Sequence, residues 1–168
     1  MRKGTVYFFT GLAGAGKTTI GGMFYERLKA IRPDAVLKDG DSLRAASGHR
    51  DYSTESRKNG AWGLFRSSLE LADEGKDVVV CSISMYEEVR AWNRKHIEKY
   101  KENYFKDSME TLRKRDQKGL YTTGVKQVVG VDLPWDEPDS SDMVIENDRE
   151  EAPKAIVDRL FREFGLED

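Results

Sequence analysis

The string GLAGAGKT, residues 11–18, is the feature that most restricts how this chain can fold. It follows the apolar run Val6–Phe9 and precedes a stretch with helical periodicity, so it joins a buried strand to a helix. Glycines let backbone N–H groups converge on a phosphate, and the N-terminus of the following helix attracts the same anion. The string therefore predicts a loop that binds nucleotide phosphates.

The string matches the phosphate-loop pattern G-x-x-x-x-G-K-[ST] in full, with Gly11, Gly16, Lys17 and Thr18 at the fixed positions. The lysine neutralises charge on the β- and γ-phosphates, and the threonine hydroxyl is a ligand for Mg²⁺. ATP and Mg²⁺ are thus the expected cofactors. The remaining predicted cofactor-binding residues of this segment are Ala13, Gly14, Ala15 and Thr19.

Short apolar runs alternate with longer amphipathic stretches along the chain, which predicts an α/β fold. We expect a P-loop NTPase-type parallel sheet of about five strands, with helices on both faces and a lid segment. The predicted strands are Val6–Phe9, Ala35–Leu37, Val78–Ile83, a weaker one near Tyr104 and Phe105, and Met143–Ile145. The predicted helices are 17–31, 53–74, 86–100, 108–116 and 152–164.

The length and composition of the chain narrow the functional classes. Its 168 residues suit a single domain, 1–168. The formal net charge of −2 provides no positive field for nucleic acid or an anionic membrane. The apolar run ending at Phe9 is too short for a signal peptide or a membrane span, and the single cysteine, Cys81, is typical of a buried small residue. We expect a cytoplasmic protein.

The string DGDSLR, residues 39–44, follows the second predicted strand. Parallel strands deliver their carboxyl ends to one edge of a sheet, so Asp39 and Asp41 should lie near the γ-phosphate. One carboxylate would order Mg²⁺ and its waters, and the other would accept a proton from an attacking hydroxyl. Arg44, one turn into the next helix, is positioned to bind an acceptor phosphate. An ordinary Asp-Gly turn with an Asp helix cap is the alternative.

The segment of about 113–135 follows a predicted helix and has little periodicity. Arginine and lysine beside a long loop suit phosphoryl transfer, because they can close over ATP and spread the charge of the moving group. Arg115 and Lys118 are therefore predicted lid residues.

Together these strings resemble the adenylylsulfate kinase family, small P-loop kinases that phosphorylate the ribose 3′-hydroxyl of adenosine 5′-phosphosulfate with Mg-ATP. The matching strings are GLAGAGKTT at 11–19, DGDSLR at 39–44, ISMY at 83–86, RDQKGLY at 115–121 and GVD at 130–132. The combination of Asp-Gly-Asp with the RDQKGLY string is the more specific part.

The resemblance implies a role for each matching residue. Asp41 would be the catalytic base or orient the hydroxyl, with Asp39 on the water shell of the metal. The acceptor phosphate would be held by Arg44 and Arg57. Arg115 would lie over the ATP base. The other implied substrate contacts are Tyr52, Ile83, Ser84, Lys118 and Tyr121. The family commonly forms dimers, so a homodimer is also implied.

Three strings depart from the sulfate-activating pattern: KNGAW after Arg57, SISM after the third strand, and QVVGVD at the end of the lid. In the last, Val129 or its neighbour replaces a phenylalanine that packs on the adenine of the acceptor. The strings ISM, RDQKGLYT and VVGVD resemble a capsule-pathway branch of the family that phosphorylates the 3′-hydroxyl of cytidine diphosphoramidate. The resemblance thus favours that acceptor, with adenosine phosphosulfate as the alternative. An ATP-dependent switch or binding module, and a kinase of sugars or acids, are further alternatives.

Overall fold

The computed structural model of the chain describes residues 2–11, 16–40, 54–83, 86–106, 136–146 and 151–166, with the backbone alone for 54–57. These residues include five strands and four helices. In chain order the elements are β1 (Val6–Gly11), α1 (Lys17–Ile31), β2 (Val36–Asp39), α2 (Thr54–Asp73), β3 (Val78–Cys81), α3 (Glu87–His96), β4 (Tyr100–Lys106), β5 (Met143–Glu146) and α4 (Pro153–Glu163).

The five strands form one parallel sheet in the order β2-β3-β1-β4-β5. Strand β1 lies at the centre, with Val6 in register with Val78 of β3 and Tyr100 of β4. All six residues of β1 are buried, as expected for a strand covered on both faces. The predicted α/β fold is therefore confirmed. Because β1 is the central strand, its carboxyl end lies at the middle of the sheet edge where all five parallel strands end.

Helices cover both faces because successive residues of β1 point in opposite directions. On one face Phe9 packs against Phe24 of α1, which in turn packs against Phe161 of α4, with ring centroids 5.2 Å apart in each pair. On the other face Phe8 packs edge-on against Phe65 of α2 at 4.8 Å. Two apolar clusters thus fix the sheet between α1 and α4 on one side and α2 and α3 on the other.

Several predicted elements are confirmed closely. Helix α1 has the predicted bounds, while α2 and α4 differ from theirs by one residue at each end. Pro153 is at the start of α4, where its missing N–H costs no hydrogen bond. Cys81 is a buried free cysteine. The predicted helix 108–116 and the predicted lid of about 113–135 lie outside the described residues.

The prediction of a helix over 86–100 is wrong at its C-terminal end. Helix α3 stops at His96, because Ile97 adopts an extended conformation with its side chain buried. Strand β4 then begins at Tyr100 and pairs with β1 along six residues. The weaker strand predicted near Tyr104 and Phe105 is thereby confirmed, although it begins earlier than expected. The polar residues Glu102 and Asn103 conceal its first half in the sequence, and it forms because β1 and β5 pair with its two edges.

No helix among the described residues combines the length and the apolar character needed to cross a membrane.

Candidate active site

The segments on either side of the glycine-rich loop are arranged as a phosphate site requires. Strand β1 ends at Gly11, and α1 begins at Lys17. Gly16 adopts a φ of 96°, which a residue with a side chain rarely adopts, and its carbonyl accepts the first hydrogen bond of α1 from Ile20 N–H at 2.9 Å. The positive N-terminus of α1 therefore follows the end of the central strand, with only residues 12–16 between them in the sequence.

Two of the predicted loop residues have contrasting environments. Lys17 is buried, with 3% of its surface exposed, whereas Thr18 and Thr19 on the same turn are exposed. A lysine this buried needs anionic or polar partners, since burial disfavours its charged form. Ala13, Gly14 and Ala15 lie outside the described residues.

The structure brings Asp39 to the phosphate loop. Asp39 is the last residue of β2, and its carboxylate Oδ2 accepts a hydrogen bond of 3.4 Å from the Thr18 hydroxyl. The two residues are 21 positions apart and meet because β2 and β1 run in the same direction in one sheet. The hydroxyl and the carboxylate both present oxygen atoms, which are the metal ligands that hard cations prefer. Mg²⁺ usually takes one or two carboxylates and completes its shell with phosphates and water, so this pair fits that ion.

The end of β3 joins the same edge. Gly40 lies so close to Ser82 that a Cβ on the glycine would come within 2.9 Å of the serine Oγ. Ile83 follows, and its carbonyl accepts a hydrogen bond from the buried hydroxyl of Thr10. Three strand ends, those of β1, β2 and β3, are thereby fixed side by side.

Sequence reasoning missed Thr10, although a threonine between Phe9 and the first loop glycine was a signal of a polar contact at that point.

The remaining predicted site residues are not placed. Arg57 belongs to α2, whose first turn is described by its backbone alone. The residues that lie outside the described part of the chain are Asp41, Arg44, Tyr52, Ser84, Arg115, Lys118, Tyr121 and Val129. Among the described residues, no group of three or more His, Cys, Asp and Glu side chains is arranged to hold a metal ion.

Comparison with known proteins identifies the family. A sequence model described as adenylylsulphate kinase matches residues 3–146. The chain belongs to the adenylylsulfate kinase family. The resemblance expected from the sequence is confirmed, and the chain is accordingly a phosphotransferase of an ATP-binding family of nucleotide kinases.

Two curated members of the adenylylsulfate kinase family align with nearly the full chain. The cytidine diphosphoramidate kinase of Campylobacter jejuni is 40% identical over 165 residues, which cover 96% of each chain. The adenylyl-sulfate kinase of a Picosynechococcus strain is 33% identical over 170 residues, covering 97% of this chain and 96% of that one.

A solved structure of the family agrees with the fold. The APS kinase of Mycobacterium tuberculosis in complex with AMPPNP and APS superimposes with a TM-score of 0.86, at 26% identity, over 98% of this chain and 99% of that one. AMPPNP is an ATP analogue, so that relative holds a donor nucleotide and an acceptor together.

Proposed function

We propose that this adenylylsulfate kinase family member transfers the γ-phosphoryl group of ATP to the ribose 3′-hydroxyl of cytidine diphosphoramidate. The observation that carries the proposal is the 40% identity to the Campylobacter jejuni enzyme over 96% of both chains. The step breaks the bond between the γ-phosphorus and the β,γ-bridging oxygen. It forms an ester at the 3′-oxygen and leaves ADP.

On the donor side, the site geometry supports a Mg-ATP complex. Lys17 and the N-terminus of α1 would offset the charge of the β- and γ-phosphates, and we propose that backbone N–H groups of the string 11–16 bind the phosphate oxygens. Thr18 and Asp39 are the groups that we assign to Mg²⁺, Asp39 through a water. The ion would supply neutralisation of the developing phosphate charge.

On the acceptor side, the assignment follows the resemblance. Asp41, two residues beyond the end of β2, is the proposed base that aligns the 3′-hydroxyl. Backbone groups of Ile83, two residues after β3, and of Ser84, which follows it in the sequence, are proposed to line the acceptor pocket. The phosphate contacts are assigned to Arg44 and Arg57. Further proposed contacts to the two nucleotides are Tyr52, Arg115, Lys118, Tyr121 and Val129.

The cytidylyl acceptor is preferred over the adenylyl one because of Val129. An aliphatic side chain gives up much of the base-stacking energy that an aromatic ring supplies, about 1–3 kcal/mol per base. A smaller pyrimidine depends less on such a platform. Phosphorylation of adenosine 5′-phosphosulfate is the second proposal, and it is supported by the 33% identity to an adenylyl-sulfate kinase.

Steady-state rates with the two acceptors, measured by coupled release of ADP, test the proposal. A higher kcat/KM with cytidine diphosphoramidate is expected, and a strong preference for adenosine phosphosulfate would overturn it. Slow ATP hydrolysis that neither acceptor accelerates would favour the ATP-dependent switch.

Three other expectations stay predictions: the lid at 113–135, the single domain 1–168 and the homodimer.

Two variants separate the donor side from the acceptor side. Asp41→Ala should abolish transfer and leave ATP affinity largely intact, whereas Lys17→Ala should impair both. Near-normal turnover by the Asp41 variant would exclude Asp41 as the base.

A third variant tests the choice of acceptor. Val129→Phe should raise kcat/KM for the adenylyl acceptor relative to the cytidylyl one at least about fivefold, which corresponds to the lower limit of the stacking energy of one base.

A further inference from the structure

Helix α3 is capped by a residue from a distant part of the chain. The residue before it, Tyr86, is extended, and its side chain makes no capping hydrogen bond. Instead, the carboxylate Oδ2 of Asp136 accepts a hydrogen bond of 3.0 Å from the N–H of Glu87. A carboxylate at this position satisfies one of the unpaired donors of the first turn and interacts favourably with the helix dipole.

Arg90 holds the backbone of the same residue. Its side chain is fully buried, and its Nη2 donates to the carbonyl of Asp136 at 2.9 Å and to Glu87 Oε2 at 3.0 Å. Among the residues that the structure describes, no hydrogen-bond partner is found for its Nε and Nη1. Because the buried cation depends on these two acceptors, Asp136 is fixed by both its side chain and its main chain.

The residues that follow Asp136 attach to β4. Glu137 Oε1 lies 3.4 Å from the Tyr104 hydroxyl and 3.3 Å from Lys106 Nζ. Asp142 Oδ2 accepts a hydrogen bond of 2.7 Å from the N–H of Glu102. The segment 136–142 therefore connects the first turn of α3 to the adjacent strand of the sheet.

This connection bears on the site, because α3 is the helix entered directly from the end of β3. The start of that link is fixed by Thr10 at the carbonyl of Ile83, and its end is the capped first turn of α3. We infer that Asp136 is a positioning residue: its cap on Glu87 holds the first turn of α3 in the position that the acceptor requires. The inference rests on the proposed function, which places the acceptor beside Ile83 and the start of this helix.

The test compares alanine variants at two acidic residues of one segment. Asp136→Ala removes the cap, while Asp139→Ala removes an exposed carboxylate whose partner is the neighbouring Ser140 hydroxyl. We expect the acceptor KM of the Asp136 variant to rise about three- to tenfold, the size of effect associated with one helix cap, with the ATP KM within about twofold of wild type. Asp136→Asn should restore the acceptor KM, since asparagine caps a helix as well as aspartate does.

Hydrogen exchange measured by mass spectrometry tests the contact without reference to activity. A peptide that includes the Glu87 amide should exchange faster in Asp136→Ala than in wild type or Asp139→Ala. Equal acceptor KM values for the two alanine variants would overturn the positioning role, and unchanged exchange would overturn the cap. If wild type used neither acceptor, the proposed function would fail, and the exchange comparison would still decide whether Asp136 caps α3.

Discussion

The hydroxyl of Thr18, in the first turn of α1, donates a hydrogen bond of 3.4 Å to the carboxylate of Asp39, at the end of β2. The contact joins the phosphate loop to the Asp-Gly-Asp string and defines the proposed Mg²⁺ position. It depends on the parallel sheet, because β3 lies between β2 and β1 and sets the distance between their ends.

Replacement of Asp39 should alter the metal requirement. In Asp39→Asn the carboxylate charge is lost, and we expect the Mg²⁺ concentration for half-maximal activity to rise about tenfold or more, as for other residues that orient metal-bound groups. Activity is measured against Mg²⁺ concentration at saturating ATP. Asp34→Asn removes an exposed carboxylate just before β2 and should leave the curve unchanged. Coincident curves for both variants would argue against the metal assignment.

Two adjacent glycines of α1 should respond oppositely to the same substitution. A Cβ on Gly21 would come within 2.3 Å of the buried Cys81 Sγ, whereas a Cβ on Gly22 meets nothing within 4 Å. Gly21→Ala should thus lower the free energy of unfolding by about 1–3 kcal/mol through overpacking. Gly22→Ala should raise it by about 0.5–1 kcal/mol, since alanine favours the helix. Urea denaturation measures both, and equal effects would contradict the close approach of α1 to β3.

The carboxylate of Glu102 should be a major polar contributor to stability. Its side chain is 1% exposed, and it accepts hydrogen bonds from the hydroxyls of Tyr100 at 2.7 Å and Ser141 at 2.8 Å. Glu102→Gln removes the charge and turns an amide toward these donors, so we expect a loss of about 2–4 kcal/mol of unfolding free energy. Glu98→Gln, at a 68% exposed side chain, is the control. A loss below 0.5 kcal/mol, about the size of ordinary surface substitutions, would refute the prediction.

The buried Tyr7 should make stability depend on alkaline pH. Burial, with a further contribution from the Asp77 carboxylate, raises the pKa of Tyr7 from 10.0 to about 12. Because the folded pKa lies above the unfolded one, this contribution is complete below pH 10 and is lost as the pH rises toward 12. Over that range the unfolding free energy of wild type should fall more than that of Tyr7→Phe, by about 1–3 kcal/mol. Chemical denaturation from pH 8 to 11.5 provides the measurement, and parallel pH profiles would contradict it.

The strongest local patterns predicted the fold best. The phosphate-loop string has an obligatory strand before it and a helix after it, so the bounds of α1 followed from the sequence. The rule that parallel strands end at one edge of the sheet likewise predicted that Asp39 would lie near the γ-phosphate, and in the structure its carboxylate accepts a hydrogen bond from Thr18 in the first turn of α1. The assignments that fall on 41–53 and 107–135 stay predictions.

Strand β4 shows where sequence reasoning was incomplete. A weak strand was predicted near Tyr104 and Phe105, but the two lysines and the glutamate within Tyr100–Lys106 hid its full length, and the predicted helix 86–100 ran past the true helix end at His96. The buried Glu102 is tolerated there because Tyr100, Ser141 and Arg94 satisfy its oxygens. Tyr100 lies on β4 itself and Arg94 on α3, but Ser141 is 39 positions away from Glu102, so no local window of sequence contains all three partners.

The sequence by itself determined the strand and the helix that flank the phosphate-loop string, because that pattern of a few glycines, one lysine and one threonine requires a strand before it and a helix after it. It also determined the family, through strings spaced along nearly the whole chain. Only the tertiary structure decided the long-range polar contacts, such as the exposed Asp136 cap on α3 and the contact of the buried Arg90 side chain with the Asp136 carbonyl. Such contacts join residues more than 40 positions apart, and they form only when packing of the elements brings those residues together.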